Sequence, residues 1–148
     1  MSRWLALGLL LALPGLSVAE ELLMARIARP FPEAMNALQE TIRAKGYTVS
    51  RVQRVDIGLT SSGFQTAEYR LVFFGVPEEI RNLSKDHVEL IPYLPLDIVI
   101  FAEGDDTIVL TTNPQQLGEF FDKPELRRVF GRWEKDVRAI FDSLTRSP

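Results

Sequence analysis

The chain has 148 residues, of which 46% are hydrophobic and 25% charged, the composition of one ordinary globular domain. Its formal charge of −3 and pI near 5.2, without a run of Lys or Arg, argue against nucleic acid as a partner. The absence of cysteine excludes disulfides, thiol chemistry and a lipid-anchored N-terminus.

The first nineteen residues have the features of a cleavable export signal. Arg3 supplies the positive charge, residues 4–13 form an apolar run, and Ser17 and Ala19 place small residues at the two recognised cleavage positions. The competing interpretation is a retained membrane anchor, but a span needs about 20 apolar residues and this run is shorter. We therefore expect cleavage after Ala19 and a periplasmic or secreted protein without a stable membrane span.

The chain after the signal begins with a predicted strand, helix and strand. Residues 21–28 are rich in apolar side chains and predict the first strand. A helix is predicted over residues 32–45, because Pro32 suits a first turn and Gly46 a C-terminus. Many Val, Tyr, Thr and Ile side chains predict one long strand over residues 47–59. Its alternation changes phase at residues 52–55, which indicates a bulge, and a turn follows.

The middle of the chain predicts two further strand regions. Alternating side chains predict a strand over residues 68–74, followed by a short helix over 78–85 and a connection between prolines. The run over residues 96–102 is apolar on both faces from Ile98 onward, as in a central strand covered on both sides. A Gly-Asp turn then leads to a strand over 107–112, which predicts a hairpin, and residues 114–121 favour a short helix.

The C-terminal segment predicts an amphipathic helix of about six turns over residues 122–144. Asp122 and Glu125 resemble a capping box. The wide apolar stripe favours packing on the sheet and leaves dimerisation as an alternative, while the mixed charges of the other face indicate solvent rather than a membrane surface. The fold class is therefore α+β, an antiparallel or mixed sheet packed by helices with a long C-terminal helix.

Patterns for catalysis and metal binding are sparse. His87 is the only histidine, and a transition-metal site needs several His or Cys ligands. The carboxylates of Glu103, Asp105 and Asp106 lack the spacing of an EF-hand loop and suit a solvated turn. The sequence therefore assigns no catalytic residue, no metal ligand and no cofactor.

One polar patch is a candidate ligand site. If the ends of two strands are adjacent, Tyr69, Arg70 and Asp97 could together bind a small anion or a hydroxylated ligand. The alternative is that Arg70 and Asp97 lie at the rim and form surface ion pairs.

Several short sequence motifs resemble those of the domain of unknown function 302 family over about residues 22–121. They are Gly46-Tyr47, Tyr69-Arg70-Leu71 and the aliphatic run over 94–101 with the turn that follows it. The resemblance implies a small bacterial or archaeal α+β domain that tends to self-associate, and no established reaction. Many relatives place a cysteine where this chain has Leu96, so no thiol or metal role carries over. Residues 122–148 lie beyond the usual domain and are expected to be an extension packed on residues 20–121.

Two functions follow as hypotheses. The first is a non-catalytic binding or assembly module of the bacterial envelope, with an unknown small ligand, an envelope protein or a second copy of the chain as partner. The alternative is a periplasmic hydrolase or isomerase that uses carboxylates such as Asp56, Asp97 or Glu103, with or without His87. Because carboxylate chemistry needs a shared cleft, the alternative requires these groups to converge.

The export prediction is tested by producing the full chain in a bacterial host and measuring the intact mass of the protein in the periplasmic and culture fractions. We expect a species that begins at Glu20, because signal peptidase cuts after small residues. A full-length mass confined to the cytoplasmic or membrane fraction would contradict the prediction.

Overall fold

The computed structural model describes residues 20–146, which form a five-stranded antiparallel sheet with two long helices against one face. The predicted export signal lies outside the described residues. The strands are β1 (Leu22–Ile27), β2 (Thr48–Arg54), β3 (Tyr69–Gly75), β4 (Leu96–Glu103) and β5 (Asp106–Thr112). The helices are α1 (Phe31–Ala44), α2 (Val55–Ser61), α3 (Pro77–Asp86), α4 (Leu117–Phe120) and α5 (Pro124–Arg146), with short 3₁₀ segments at Val88–Tyr93 and Pro114–Gln116.

The sheet has the order β1-β5-β4-β3-β2, and every neighbouring pair is antiparallel. The predicted β4–β5 hairpin is confirmed, with Glu103 opposite Asp106 across a two-residue turn. Gly104, the first turn residue, has a φ of +63°, which glycine adopts without the steric cost that other residues meet. The hairpin places β4 at the centre of the sheet and β5 beside β1.

The hydrophobic core lies between one face of the sheet and the helices α1 and α5. Alternate side chains of the strands point to this face, because successive residues of a strand face opposite sides. Helix α1 contributes buried residues at the three- and four-residue spacing of a single helical stripe. The strand residues are Leu23, Ile27, Val72, Phe74, Ile98, Ile100 and Val109, and those of α1 are Phe31, Ala34, Leu38 and Ile42.

Helix α5 is part of this core. Its apolar stripe packs on α1 and β1, as the simpler of the two predictions required. The helix begins at Pro124, so Asp122 lies before it and pairs with Arg127 at 2.6 Å instead of completing the predicted capping box. Within residues 20–146, no helix combines the length and the apolar character needed to cross a membrane. The buried residues of α5 are Leu126, Phe130, Trp133, Val137, Ile140, Phe141 and Leu144.

A polar network fastens α5 to the start of β2 and to α3. The hydroxyl of Tyr47 donates to Asp136 at 2.6 Å, and the indole Nε1 of Trp133 donates to Glu79 at 3.2 Å. Arg132 also hydrogen-bonds Glu79. Burial, together with the hydrogen bond to Asp136, raises the pKa of Tyr47 above its ordinary value, so the phenol stays a donor.

The prediction of one long strand over residues 47–59 is wrong in its second half. Strand β2 ends at Arg54, opposite Arg70 near the start of β3, and residues 55–61 form α2. Beyond Arg54 only Tyr69 of β3 remains, so a longer β2 would have almost no partner on this side, and the local preference of Val and Ile for strands is overridden. The irregularity of β2 lies between Val49 and Arg51, earlier than the predicted bulge.

The central strand is covered by the long helices on one face only, although its sequence predicted cover on both. Val99 and Phe101 point away from α1 and α5 and stay partly exposed. Neighbouring strands place further apolar side chains beside them. We call this surface the open face of the sheet; it comprises Met24, Tyr69, Leu71, Val99, Phe101 and Leu110.

Truncation of a buried α5 side chain measures how far this helix belongs to the core. Ile140 is 0% exposed. Its replacement by Ala should lower the free energy of unfolding by about 2–5 kcal/mol, because the change removes buried methyl groups and leaves a cavity. Leu22→Ala is the control, since Leu22 is 55% exposed and should change the value by less than about 0.5 kcal/mol. Urea unfolding followed by circular dichroism gives both values; equal midpoints for the two variants would show that α5 does not stabilise the fold.

Candidate ligand site

A cleft of about 360 Å³ lies at the end of the sheet where β4 begins and β5 ends. The segment leading into β4 forms one wall, and the segment after β5, including α4, forms the other. Its lining is mostly apolar and comprises Phe73, Pro92, Tyr93, Leu94, Pro95, Leu96, Asp97, Thr111, Thr112, Asn113, Pro114, Gln116, Leu117 and Phe120.

Asp97 is the only charged side chain in this lining. It lies opposite Phe73 on the face of the sheet away from the core and is partly buried. Among residues 20–146, no group lies at hydrogen-bond or salt-bridge distance from its carboxylate; its backbone carbonyl accepts from Thr111 Oγ1 at 2.7 Å. Burial raises the pKa of Asp97 above its ordinary value, because partial removal from water disfavours the charged form.

The walls of the cleft are held by specific contacts. Tyr93 packs edge to face on Phe121, with 5.5 Å between ring centroids. Asn113 is buried; its side-chain oxygen accepts from the backbone N–H of Gln115 at 3.0 Å, and its Nδ2 donates to the carbonyl of Glu20 at 2.8 Å. The chain therefore leaves β5 in a fixed direction, which positions the wall that includes α4.

The structure does not bring the three predicted site residues together. Arg70 points to the core face, where it hydrogen-bonds Asp56 and lies 5.4 Å from the ring centroid of Phe31. Tyr69 is opposite Phe101, four residues along β4 from Asp97, and lines a separate shallow depression on the open face. Of the three residues, Asp97 alone lines the cleft.

Arg70 forms an ion pair with Asp56 on the core face and not at the rim, and Asp97 forms none among residues 20–146, so the alternative of surface ion pairs does not describe the structure either. Burial by itself would raise the pKa of Asp56, yet the hydrogen bond and charge of Arg70 outweigh it, and the net effect is a lowered pKa. Both side chains are nearly buried. Arg70 therefore joins elements of the fold and does not line the cleft.

The other candidate catalytic groups are also dispersed. Glu103 pairs with Arg26 beside the hairpin turn. His87 lies 3.3 Å from Lys123 Nζ and 3.7 Å from Glu89, outside the lining of the cleft. In the part of the chain that the structure describes, no three His, Asp or Glu side chains lie close enough together to hold a metal ion. The convergence that the hydrolase alternative requires is therefore not found among these residues.

Sequence reasoning missed most of the cleft. Phe73, Tyr93, Thr112 and Phe120 come from four separate segments, and no spacing in the sequence links them. The prolines on either side of Tyr93 mark the connection to β4 as irregular, but only the paired register of the strands shows that this connection faces the end of β5.

Comparison with known proteins places the chain in a family. The pattern of the domain of unknown function DUF302 matches residues 25–144, and the chain belongs to this family. The structure is similar to the crystal structure of an uncharacterized conserved protein DUF302 from Bacillus stearothermophilus, with a TM-score of 0.77 and 19% sequence identity over 86% of this chain and 100% of that chain. No curated protein matches the sequence.

The resemblance expected from the sequence and the α+β fold are thus confirmed. The family match includes most of α5, in contrast to the expectation that residues 122–148 lie beyond the usual domain. At 19% identity the structural likeness establishes the fold and nothing about a ligand.

Replacement of Asp97 by Asn should stabilise the folded protein at neutral pH. Because the folded-state pKa of Asp97 is raised, its ionisation opposes folding: the cost is absent below the unfolded pKa, grows as the pH rises, and is complete above the folded pKa. We expect Asp97→Asn to raise the free energy of unfolding at pH 7 by roughly 1 kcal/mol, a value reduced by the water that still reaches the carboxylate.

Urea unfolding at pH 7 and at pH 3 measures this effect, and the gain should shrink at the lower pH. Asp105→Asn, in the exposed hairpin turn, removes the same charge without burial and serves as the control. A loss of stability at pH 7 that is specific to Asp97→Asn would mean that the carboxylate has a stabilising partner.

Proposed function

We propose that this protein is an exported, non-catalytic binding module of the bacterial envelope, and that its cleft receives a small, partly apolar ligand. The observation that carries the proposal is the carboxylate of Asp97, which is partly buried among apolar side chains without a partner in the described chain. A carboxylate that is partly removed from water and joins no element of the fold is typical of a site that serves a ligand.

The form of the cleft supports this function. Its volume of about 360 Å³ falls within the range of roughly 300–1,000 Å³ that small-molecule sites occupy. Aromatic and aliphatic walls favour an apolar body, and one acceptor at the strand end would fix its orientation. The walls are braced by Asn113 and by the Tyr93–Phe121 contact, so little ordering is needed when a ligand enters.

A neutral aromatic alcohol is a suitable first probe. We expect 2-phenylethanol, added to the ¹⁵N-labelled protein, to shift the backbone amide signals of residues 93–97 and 111–117 saturably, because these segments line the cleft. Thr112→Trp should abolish the shifts, since the larger side chain fills the space beside β5.

Thr60→Trp is the matched control, because Thr60 is exposed on α2 and lies outside the cleft. It should leave the shifts unchanged. Shifts spread over the whole surface, or shifts that survive in Thr112→Trp, would reject the cleft as the binding site.

Assembly with a second copy is a second candidate function, and the open face supports it. Met24, Leu110, Val99 and Leu71 form a continuous row across four strands without a charged side chain. In a two-fold symmetric dimer, the same patch of each copy forms the contact. A row without charged side chains therefore places no like charges next to each other. Met24 is 69% exposed, and an apolar face of this kind often marks an interface.

Sedimentation velocity over a range of micromolar concentrations tests this assembly. We expect a dimer that Met24→Glu weakens by tenfold or more in Kd, roughly 1.4 kcal/mol, because burial of a carboxylate at an apolar contact is costly. Val88→Glu changes an equally exposed apolar residue in the 3₁₀ segment, away from the open face, and should have no effect. A wild-type protein that stays monomeric at every concentration would reject this candidate.

A further inference from the structure

We propose that the ligand of the cleft carries a protonated amino group, which donates hydrogen bonds to the carboxylate of Asp97 while an apolar body lies between the walls. This inference rests on the proposed function and adds the chemical class of the ligand. It replaces the small anion that the sequence suggested, because the cation that would have held an anion, Arg70, is on the other side of the sheet and paired with Asp56.

The charge of the cleft selects for a cation. No Lys, Arg or His side chain is among the lining residues, and Asp97 supplies the single formal charge. An anionic ligand would meet this charge without compensation, whereas an ammonium would neutralise it. The partial burial of Asp97 strengthens this preference, because the attraction between opposite charges rises as water is excluded.

The carboxylate of Asp97 also favours a ligand that donates hydrogen bonds. The carboxylate is an acceptor with both oxygens free of partners in the described chain, and an ammonium supplies three donors from one atom. Such charge-assisted hydrogen bonds are roughly twice as strong as neutral ones. A neutral hydroxyl supplies one donor and leaves the charge unpaired, so it satisfies the site less well.

The aromatic side chains of the lining suit the rest of an amphipathic amine. Phe73 lies directly across from Asp97 on β3, and Tyr93 and Phe120 belong to the two walls. Aromatic faces attract cations and also pack against an apolar body. In an amine joined by a short chain to a ring or an alkyl group, the ammonium would therefore contact Asp97 while the apolar part packs against the aromatic side chains of the cleft.

The test compares three probes of similar size on the purified full chain: 2-phenylethylamine, 2-phenylethanol and 3-phenylpropanoate. Dissociation constants come from titrations followed by ¹⁵N-amide shifts at pH 7. We expect the amine to bind about tenfold or more tightly than the alcohol, and the carboxylate to bind most weakly. Asp97→Asn should reduce the affinity for the amine to that for the alcohol, whose own affinity should not fall. Asp105→Asn should change neither.

The outcomes separate this inference from the proposed function. Equal affinities for the amine and the alcohol, or an amine affinity that survives in Asp97→Asn, would overturn the inference and leave the cleft as a binding site. Preference for 3-phenylpropanoate, increasing at lower pH, would also overturn it and would mean that protonated Asp97 acts as a donor. Binding of none of the probes would count against both.

Discussion

The rest of the structure depends on the burial of one face of the sheet under α1 and α5. Strands and helices meet there in a continuous core that includes Ile98 and Ile100 of the central strand and Ile140 of α5, all completely buried. Without cysteine, the fold has no covalent cross-link, so this apolar contact must provide most of its stability. Helix α5 is therefore as much a part of the domain as the strands, which agrees with its inclusion in the family match.

The same arrangement explains where sites for partners can lie. Two long helices cover one face, so the opposite face stays open, and the end of the sheet where β4 begins is bordered by the short segments that lead into β4 and follow β5. At one such end the 3₁₀ segment Val88–Tyr93 and the segment after β5 enclose Asp97. The cleft and the open face are thus two consequences of a sheet that is packed from one side. Asp97 and the open face lie on the same side of the sheet, but no residue belongs to both sites, and a ligand in the first does not require a partner on the second.

Asp97 and Asp56 show how similar carboxylates acquire different roles. Both are removed in part from water, but Asp56 meets the guanidinium of Arg70 and its pKa is lowered, whereas Asp97 meets no cation among residues 20–146 and its pKa is raised. The first pair joins α2 to β3 and belongs to the scaffold. The second carboxylate is left with unused acceptor capacity, which a ligand from outside the chain can satisfy.

The sequence by itself predicted the α+β class, the hairpin and the apolar stripe of α5, because each depends on local spacing or turn chemistry. Its resemblance to the family came from particular residues, and the family match confirmed it. Only the tertiary structure decided that β2 ends at Arg54, one residue short of the start of its partner strand, and that the second apolar face of β4 stays open. It also separated Arg70 from Asp97, since adjacent strands can place neighbouring residues on opposite faces. The cleft combines segments distant in sequence, and their proximity is a property of strand pairing that no single segment encodes.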